Sequence, residues 1–188
     1  MRIIAGSARG KKLAAFDGKQ IRPTPDRVRE ALFSMMISRL GGLHGLKVLE
    51  LFAGTGAQSL EAISRGASSA VLVDQSRYAL GLMNDNVQRC GFSDQISIIT
   101  DRLPQCLDKT VPYAPFDLVF LDPPYDSDLI IPILKRIESL NLLADGGIIC
   151  AESQRKFILE HQGTLQLLES RLYGSTAIHL FGYPQGIT

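Results

Sequence analysis

The sequence predicts an α/β fold: a mostly parallel sheet with helices on both faces and an antiparallel pair at its C-terminal end. Two observations predict it. From Leu46 onward, short runs made almost wholly of Val, Ile and Leu alternate with segments of helical length. Strands covered on both faces and joined by crossover helices have this pattern. Near the C-terminus the rhythm stops, and two consecutive β-rich runs flank Gly174-Ser175, a two-residue turn suited to a hairpin.

The elements can be justified in order. Residues 1–24 are rich in Gly and Lys/Arg and hold two short apolar runs, RIIA and KLAAF; they predict a small basic hairpin or arm, followed by the main domain over 25–188. The stretch TPDRVREALFSMMISRL predicts a helix. Thr24 suits the N-cap and Pro25 the first helical position. Val28, Ala31, Leu32, Met35, Met36 and Leu40 recur at helical spacing as one buried stripe, with Arg27 and Arg29 flanking it. Strands are expected over 46–52, 69–74, 96–100, 117–122 and 147–152. Helices are expected over 57–65, stopped by Gly66, over 76–89, stopped by Gly91, and over 128–140, capped by Ser127.

Bulk properties narrow the classes. A chain of 188 residues at 45% hydrophobic can fill one core with a small appendage. No apolar run approaches the ~20 residues of a membrane span. The N-terminus MRIIAGSARGKK lacks the apolar centre of a secretory signal, so a cytoplasmic location is expected. Cys90, Cys106 and Cys150 are odd in number and far apart, which predicts buried, reduced thiols, with no disulfide framework and no metal. Net charge is +1, but residues 1–30 carry eight basic against three acidic residues, +5, while the remainder is −4. A basic head on a mildly acidic body fits contact with phosphates, or an ordinary solvated face.

Four segments carry chemistry. In LELFAGTGAQSLEAI a strand runs into Gly54-Thr55-Gly56 and then a helix. Glycines there let the chain turn and let a ligand approach the backbone. The third glycine of a dinucleotide fingerprint and the lysine of a P-loop are missing. Glu50 lies four residues before Gly54; its charge would repel a pyrophosphate and attract an ammonium group, favouring an amino-acid-bearing nucleoside over NAD. Asp74, ending VLVD, falls at the edge of the next strand, where a carboxylate can accept from two ribose hydroxyls; it could otherwise cap the following helix, a task open to Ser76. Asp101, after ISIIT, lies at the same edge, where it could accept from an adenine amine or be a plain loop acid. The three acids outline an adenosine with an amino-acid tail, and S-adenosylmethionine fits all three.

The fourth segment is Asp122-Pro123-Pro124-Tyr125, after the apolar run FDLVFL. Prolines end the strand, and a fixed Pro123 carbonyl and the Asp122 carboxylate offer two acceptors for one NH2 group. Tyr125 adds a flat face for stacking, worth roughly 1–3 kcal/mol. An exocyclic amine is a poor nucleophile because its lone pair is delocalised into the ring. Accepting its protons while holding it in line with a sulfonium methyl supplies rate by proximity.

ELFAGTGA, VLVD and DLVFLDPPY resemble class I methyltransferases that modify exocyclic amines. RIIAGSARGKKL followed by RPTPDRVREALFSMM is similar to the bacterial 16S rRNA guanine-N2 methyltransferase family, the RsmD-like proteins, over Met1 to about Tyr183. The resemblance implies a seven-stranded Rossmann-like sheet and one methyl transfer to guanine N2 of 16S rRNA within the assembled or assembling 30S subunit, by a monomer. It implies that Glu50, Phe52, Gly54 and Gly56 meet the methionine part and backbone of the cofactor, Asp74 the ribose, and Asp101 and Arg102 the adenine. Asp122, Pro123 and Tyr125 would hold the guanine, and Thr24, Arg27 and Glu30 would line the site from the N-terminal side. Arg2, Arg9, Lys11, Lys12 and Arg22 of the basic head would meet RNA. Where the family reads Gly-Ala-Leu-Gly after the turn, this chain has Gln58 and Ser59. A base N2 inside a paired helix is hidden, so a flipped-out or loop guanine is expected. Adenine N6, cytosine N4 or a glutamine amide would fit the same amine clamp, and a non-catalytic protein binding cofactor or RNA is the alternative of another class.

Overall fold

The computed structural model describes residues 1–16, 26–124, 128–154 and 163–184. Seven strands form one sheet in the order β3-β2-β1-β4-β5-β7-β6. The first five in this order, β1 (Lys47–Leu51), β2 (Ser69–Asp74), β3 (Ile96–Thr100), β4 (Phe116–Leu121) and β5 (Leu143–Gln154), run parallel, with β3 at the edge. β6 (Gln166–Tyr173) and β7 (Thr176–Gly182) form the expected hairpin, and β7 pairs antiparallel with β5. Gly174 takes φ +62 in the turn, a left-handed conformation that disfavours a side chain.

The helices are α1 (Asp26–Leu40), α2 (Ala57–Ser64), α3 (Arg77–Cys90) and α4 (Ile130–Ser139). Gly91 ends α3 at φ +78, and Ser76 caps its start by accepting the Ala79 N–H. The expected caps Thr24 and Ser127 lie outside the described residues, as does Pro25. Alternation along the strands sorts the core into two layers. Val48, Leu72, Phe120, Cys150 and Ile178 face α1, α2 and α3. Leu49, Leu51, Val73, Val119, Leu121 and Ile149 face α4 and a 3-10 helix over Gln105–Tyr113. Cys90, Cys106 and Cys150 are all buried and unpaired.

Three features depart from the expectation. The 3-10 helix was not foreseen: it buries Cys106, Leu107 and Thr110 at a spacing that a 3.6-residue pattern does not reveal, and it contains Pro112. β5 begins earlier than residue 147, because Leu143 pairs with Phe116 before a register shift carries the chain to Ile148 opposite Leu118. On α1, Arg29 does not flank the apolar stripe but lies within it at 1% exposure, beside fully buried Phe33. The described part of the N-terminal segment, expected as a small hairpin or arm, packs on the main sheet and its helices. It makes one bridge, Arg2 to Lys12, and buries Ile3, Ala8 and Leu13 in the same core layer as α1 and α2. No described helix is long and apolar enough to cross a membrane.

Candidate functional site

The site forms where the strand order reverses, at the C-terminal edge between β1 and β4, the position at which open α/β sheets bind ligands. β1 turns at Phe52, whose φ of +60 is an outlier for a bulky side chain. Gly54 and Gly56 follow at φ +55 and +74. Their roles differ. A Cβ on Gly56 would stand 2.6 Å from Leu72 Cδ2, so this glycine lets α2 pack on the sheet. Gly54 faces outward, and its nearest neighbour is the Phe16 ring, 3.4 Å from where a Cβ would stand. Phe16 also packs on Tyr78 at a centroid distance of 5.4 Å. The N-terminal segment thus reaches over the glycine turn through a residue the sequence reading did not single out.

Glu50 lies near the end of β1, Asp74 ends β2 and Asp101 directly follows β3, and each already has work in the fold. Asp74 accepts the Gly54 N–H at 2.8 Å and the Ser76 N–H at 2.9 Å, which ties the glycine turn to the start of α3. Glu50, 5% exposed, accepts from Ser59 N at 2.8 Å and Gln58 N at 3.3 Å. It caps α2 from the neighbouring strand, because Gly56 at the N-cap has no side chain to do so. Burial pushes the Glu50 carboxyl up to about 7, against the hydrogen bonds from Ser59 and Gln58. Asp101 accepts from Arg102 N at 2.7 Å and from Lys109 Nζ at 2.6 Å, and the lysine holds its carboxyl below the usual range. Arg102 is exposed.

Asp122 follows β4 directly, with Pro123 buried behind it. Its side chain opens to solvent on one side, while the protein around the rest strips water from it and pushes its carboxyl upward. A further acid, Glu152 on β5, was missed by the sequence reading. It is 6% exposed and falls on the same sheet face, since Phe120 pairs with Cys150 two residues earlier on each strand. Burial first, and then the Asp122 charge, push Glu152 up as well. Its only sequence signal was a carboxylate inside an otherwise apolar strand, GIICAE.

Tyr125, Thr24 and Arg22 lie outside the described residues, as does the side chain of Arg27. Glu30 is exposed on α1. In the basic head, Arg2 pairs with Asp26 at 3.2 Å while 66% exposed, and Arg9 and Lys12 are exposed. Lys11 is placed differently from the expectation. Its ammonium donates to the carbonyls of Arg89 and Cys90 at 2.9 and 3.0 Å, so it caps the C-terminus of α3. Glu61 was also missed: at 0% exposure it accepts from Ile4 N, Ala5 N and Arg65 Nε at 2.7–3.0 Å and anchors the head to α2.

The residues present suit a cofactor with an amino-acid tail. Beside Glu50, the buried Gln58 Oε1 has no hydrogen-bond partner among the described residues, and an ammonium group would satisfy both acceptors. No group of three or more His, Cys, Asp or Glu with metal-binding geometry occurs among the described residues.

Comparison with known proteins agrees with the architecture. The family model described as conserved hypothetical protein 95 matches residues 1–182. The ribosomal RNA small subunit methyltransferase D of Haemophilus influenzae is 30% identical over 96% of this chain and 93% of its own. The protein of the same name from Escherichia coli K12 is 32% identical over 82% and 75%. Among solved structures, the hypothetical protein TTHA0928 of Thermus thermophilus superposes with a TM-score of 0.80 at 31% identity, covering 96% of this chain and 98% of its own. The C-terminal domain of precorrin-6Y C5,15-methyltransferase from Rhodobacter capsulatus has a TM-score of 0.61 at 18% identity over 89% and 92%, a likeness of fold alone.

Proposed function

The chain belongs to the conserved hypothetical protein 95 family, a family of methyltransferases, and on that premise we propose that it methylates the exocyclic N2 of a guanine in small-subunit ribosomal RNA, using S-adenosylmethionine. The observation that carries this reading is the placement of Asp122 and Pro123 at the end of β4, across the switch point from a glycine turn held by Asp74. The small-subunit methyltransferase relatives, similar over most of the chain, support rRNA as the substrate.

S-adenosylmethionine, when bound, supplies a methyl group on a sulfonium. Glu50 and Gln58 Oε1 would receive its ammonium group, Asp74 its ribose hydroxyls, and Asp101 with Arg102 its adenine. Phe52, Gly54 and Gly56 form the turn that would meet its methionine part, and Thr24, Arg27 and Glu30 would line the site from the N-terminal side. Asp122 and the Pro123 carbonyl accept the two N–H groups of guanine N2, raising electron density on nitrogen and fixing its direction. Tyr125 stacks on the base. Arg2, Arg9, Lys12 and Arg22 meet phosphates of the 16S rRNA in the 30S subunit, where the protein acts as a cytoplasmic monomer without a metal.

The test is mass-spectrometric mapping of methylated guanines in rRNA from cells with and without the gene, beside transfer to purified subunits by Asp122→Ala. We expect one N2-methylguanine to vanish with the gene, and Asp122→Ala to lose transfer while S-adenosylhomocysteine affinity stays within a few-fold. An unchanged guanine map, or label appearing on adenine, would reject the reading.

A further inference from the structure

Glu152 is a carboxylate buried within β5. The strand around it is apolar, with Ile148, Ile149, Cys150 and Ala151 all buried. Burying a charge there is costly unless it has a partner. Among the described residues, none forms a hydrogen bond or ion pair with its side chain. Asp122 is the acid beside it. Leu121 pairs with Ala151, so Asp122 and Glu152 are next in register on adjacent parallel strands, which lie about 4.8 Å apart. Among the described residues, the other charged or titratable groups on this face and on the helices covering it are Glu50 on β1, Asp74 on β2, Cys150 on β5, Glu169, Arg171 and Tyr173 on β6, Arg29 on α1, Glu61 and Arg65 at α2, and Cys90 on α3. Arg29 gives one nitrogen to Asp26 and the Arg2 carbonyl, its Nε and Nη1 having no hydrogen-bond partner among the described residues, while Arg65 is held by Glu61 and Arg171 by Glu169. Among the described residues, none of these cations pairs with Asp122 or Glu152.

We propose that Glu152 is a specificity-determining residue that reads the N1–H and O6 edge of the target guanine while Asp122 holds its N2. The inference deepens the methyltransferase reading and rests on it. Two adjacent carboxyl groups, one of them buried, resist ionising together, so the pair keeps one proton. Both groups are raised, with burial the first cause in each, and the Asp122 charge raises Glu152 further. The more deeply buried Glu152 carries the proton. A neutral carboxylic acid has a carbonyl acceptor beside a hydroxyl donor. Guanine presents N1–H beside O6, so the acid pairs with it through two hydrogen bonds. With its own amine held by Asp122, adenine would offer Glu152 the acceptor N1 and then C2–H, and cytosine the acceptors N3 and O2, so an acid with one donor satisfies at most one position of either base. A buried polar group left unpaired by the wrong base produces strong discrimination.

The experiment uses small subunits reconstituted with guanine or 2-aminopurine at the methylated position. 2-Aminopurine keeps the N2 amine but lacks both N1–H and O6. Wild type should prefer guanine in kcat/KM. Glu152→Leu should reduce that preference by about tenfold or more, the scale of a lost bidentate base contact. Glu152→Gln, whose amide also offers an acceptor beside a donor, should keep the preference. It should also remove the fall in activity that wild type shows as Glu152 ionises toward the alkaline end of a range of about pH 6 to 8.5. S-adenosylhomocysteine binding reports that each variant is folded. A Glu152→Leu protein with the wild-type preference overturns the proposal, as does a Glu152→Gln protein that loses as much as Leu. If Glu152→Leu does not fold, the Gln profile decides, and an alkaline fall that persists in it overturns the proposal. The methyltransferase reading itself fails separately, if wild type places no methyl group on guanine N2 at all.

Discussion

The carboxylate of Asp74 at the end of β2 accepts the backbone N–H of Gly54 at 2.8 Å, so the turn after β1 takes its shape from a side chain on the neighbouring strand. The other oxygen accepts from Ser76 at the start of α3. Asp74→Ala frees two N–H groups that a charged acceptor had satisfied. We expect a loss of about 1–2 kcal/mol in urea unfolding. S-adenosylhomocysteine affinity should fall by about tenfold or more, because the turn and the proposed ribose acceptor go together. A stable variant with normal affinity would show that the turn holds itself.

Glu50 predicts a pH dependence of definite sign. Its ordinary value of 4.5 rises to about 7 in the fold, so between those values the native state binds more protons than the unfolded chain. The stabilisation is complete below about pH 4.5 and lost as pH rises through about 7. Asp122 and Glu152 are shifted in the same direction. Thermal unfolding should therefore show these three groups favouring the native state at about pH 5 over about pH 8. In Glu50→Gln the slope should be shallower, with the variant gaining relative to wild type at the alkaline end. A parallel pair of curves would remove Glu50 from the titration.

Glu61 anchors the N-terminal segment from within the core. Removing its carboxylate leaves the N–H groups of Ile4 and Ala5 and the Arg65 guanidinium without their acceptor. Glu61→Ala should cost about 3–5 kcal/mol, the scale of breaking a buried ion pair on one side. Amide exchange should accelerate first at residues 3–8, ahead of the sheet. Uniform acceleration over the whole chain would mean that the segment and the sheet open as one unit.

Two adjacent lysines should separate by role. Lys11 is engaged with the last carbonyls of α3, whereas Lys12 is exposed. Lys11→Met should lower the melting temperature and leave the salt dependence of substrate binding nearly unchanged. Lys12→Glu should leave the melting temperature and flatten the salt dependence, since each phosphate contact contributes about 0.9 to the logarithmic slope. Equal salt slopes in the two variants would reject this division.

The sequence by itself determined the fold class, the five parallel strands, the hairpin at Gly174 and the acids at the strand ends. These rest on local chemistry: two-residue and 3.6-residue periodicity, and glycines where φ must be positive, all readable within a few residues. The tertiary structure decided which partner each acid meets. Glu50 reads alike whether it faces a ligand or caps α2, and only the approach of α2 to β1 brings Ser59 N to its carboxylate. Lys11 looks like any other basic residue of the head until α3 ends beneath it. Glu152 gains its meaning from Asp122, thirty positions earlier in the chain, because strand order sets the two side by side. Contacts between residues far apart in sequence leave no periodic trace, so packing alone assigns such groups their work.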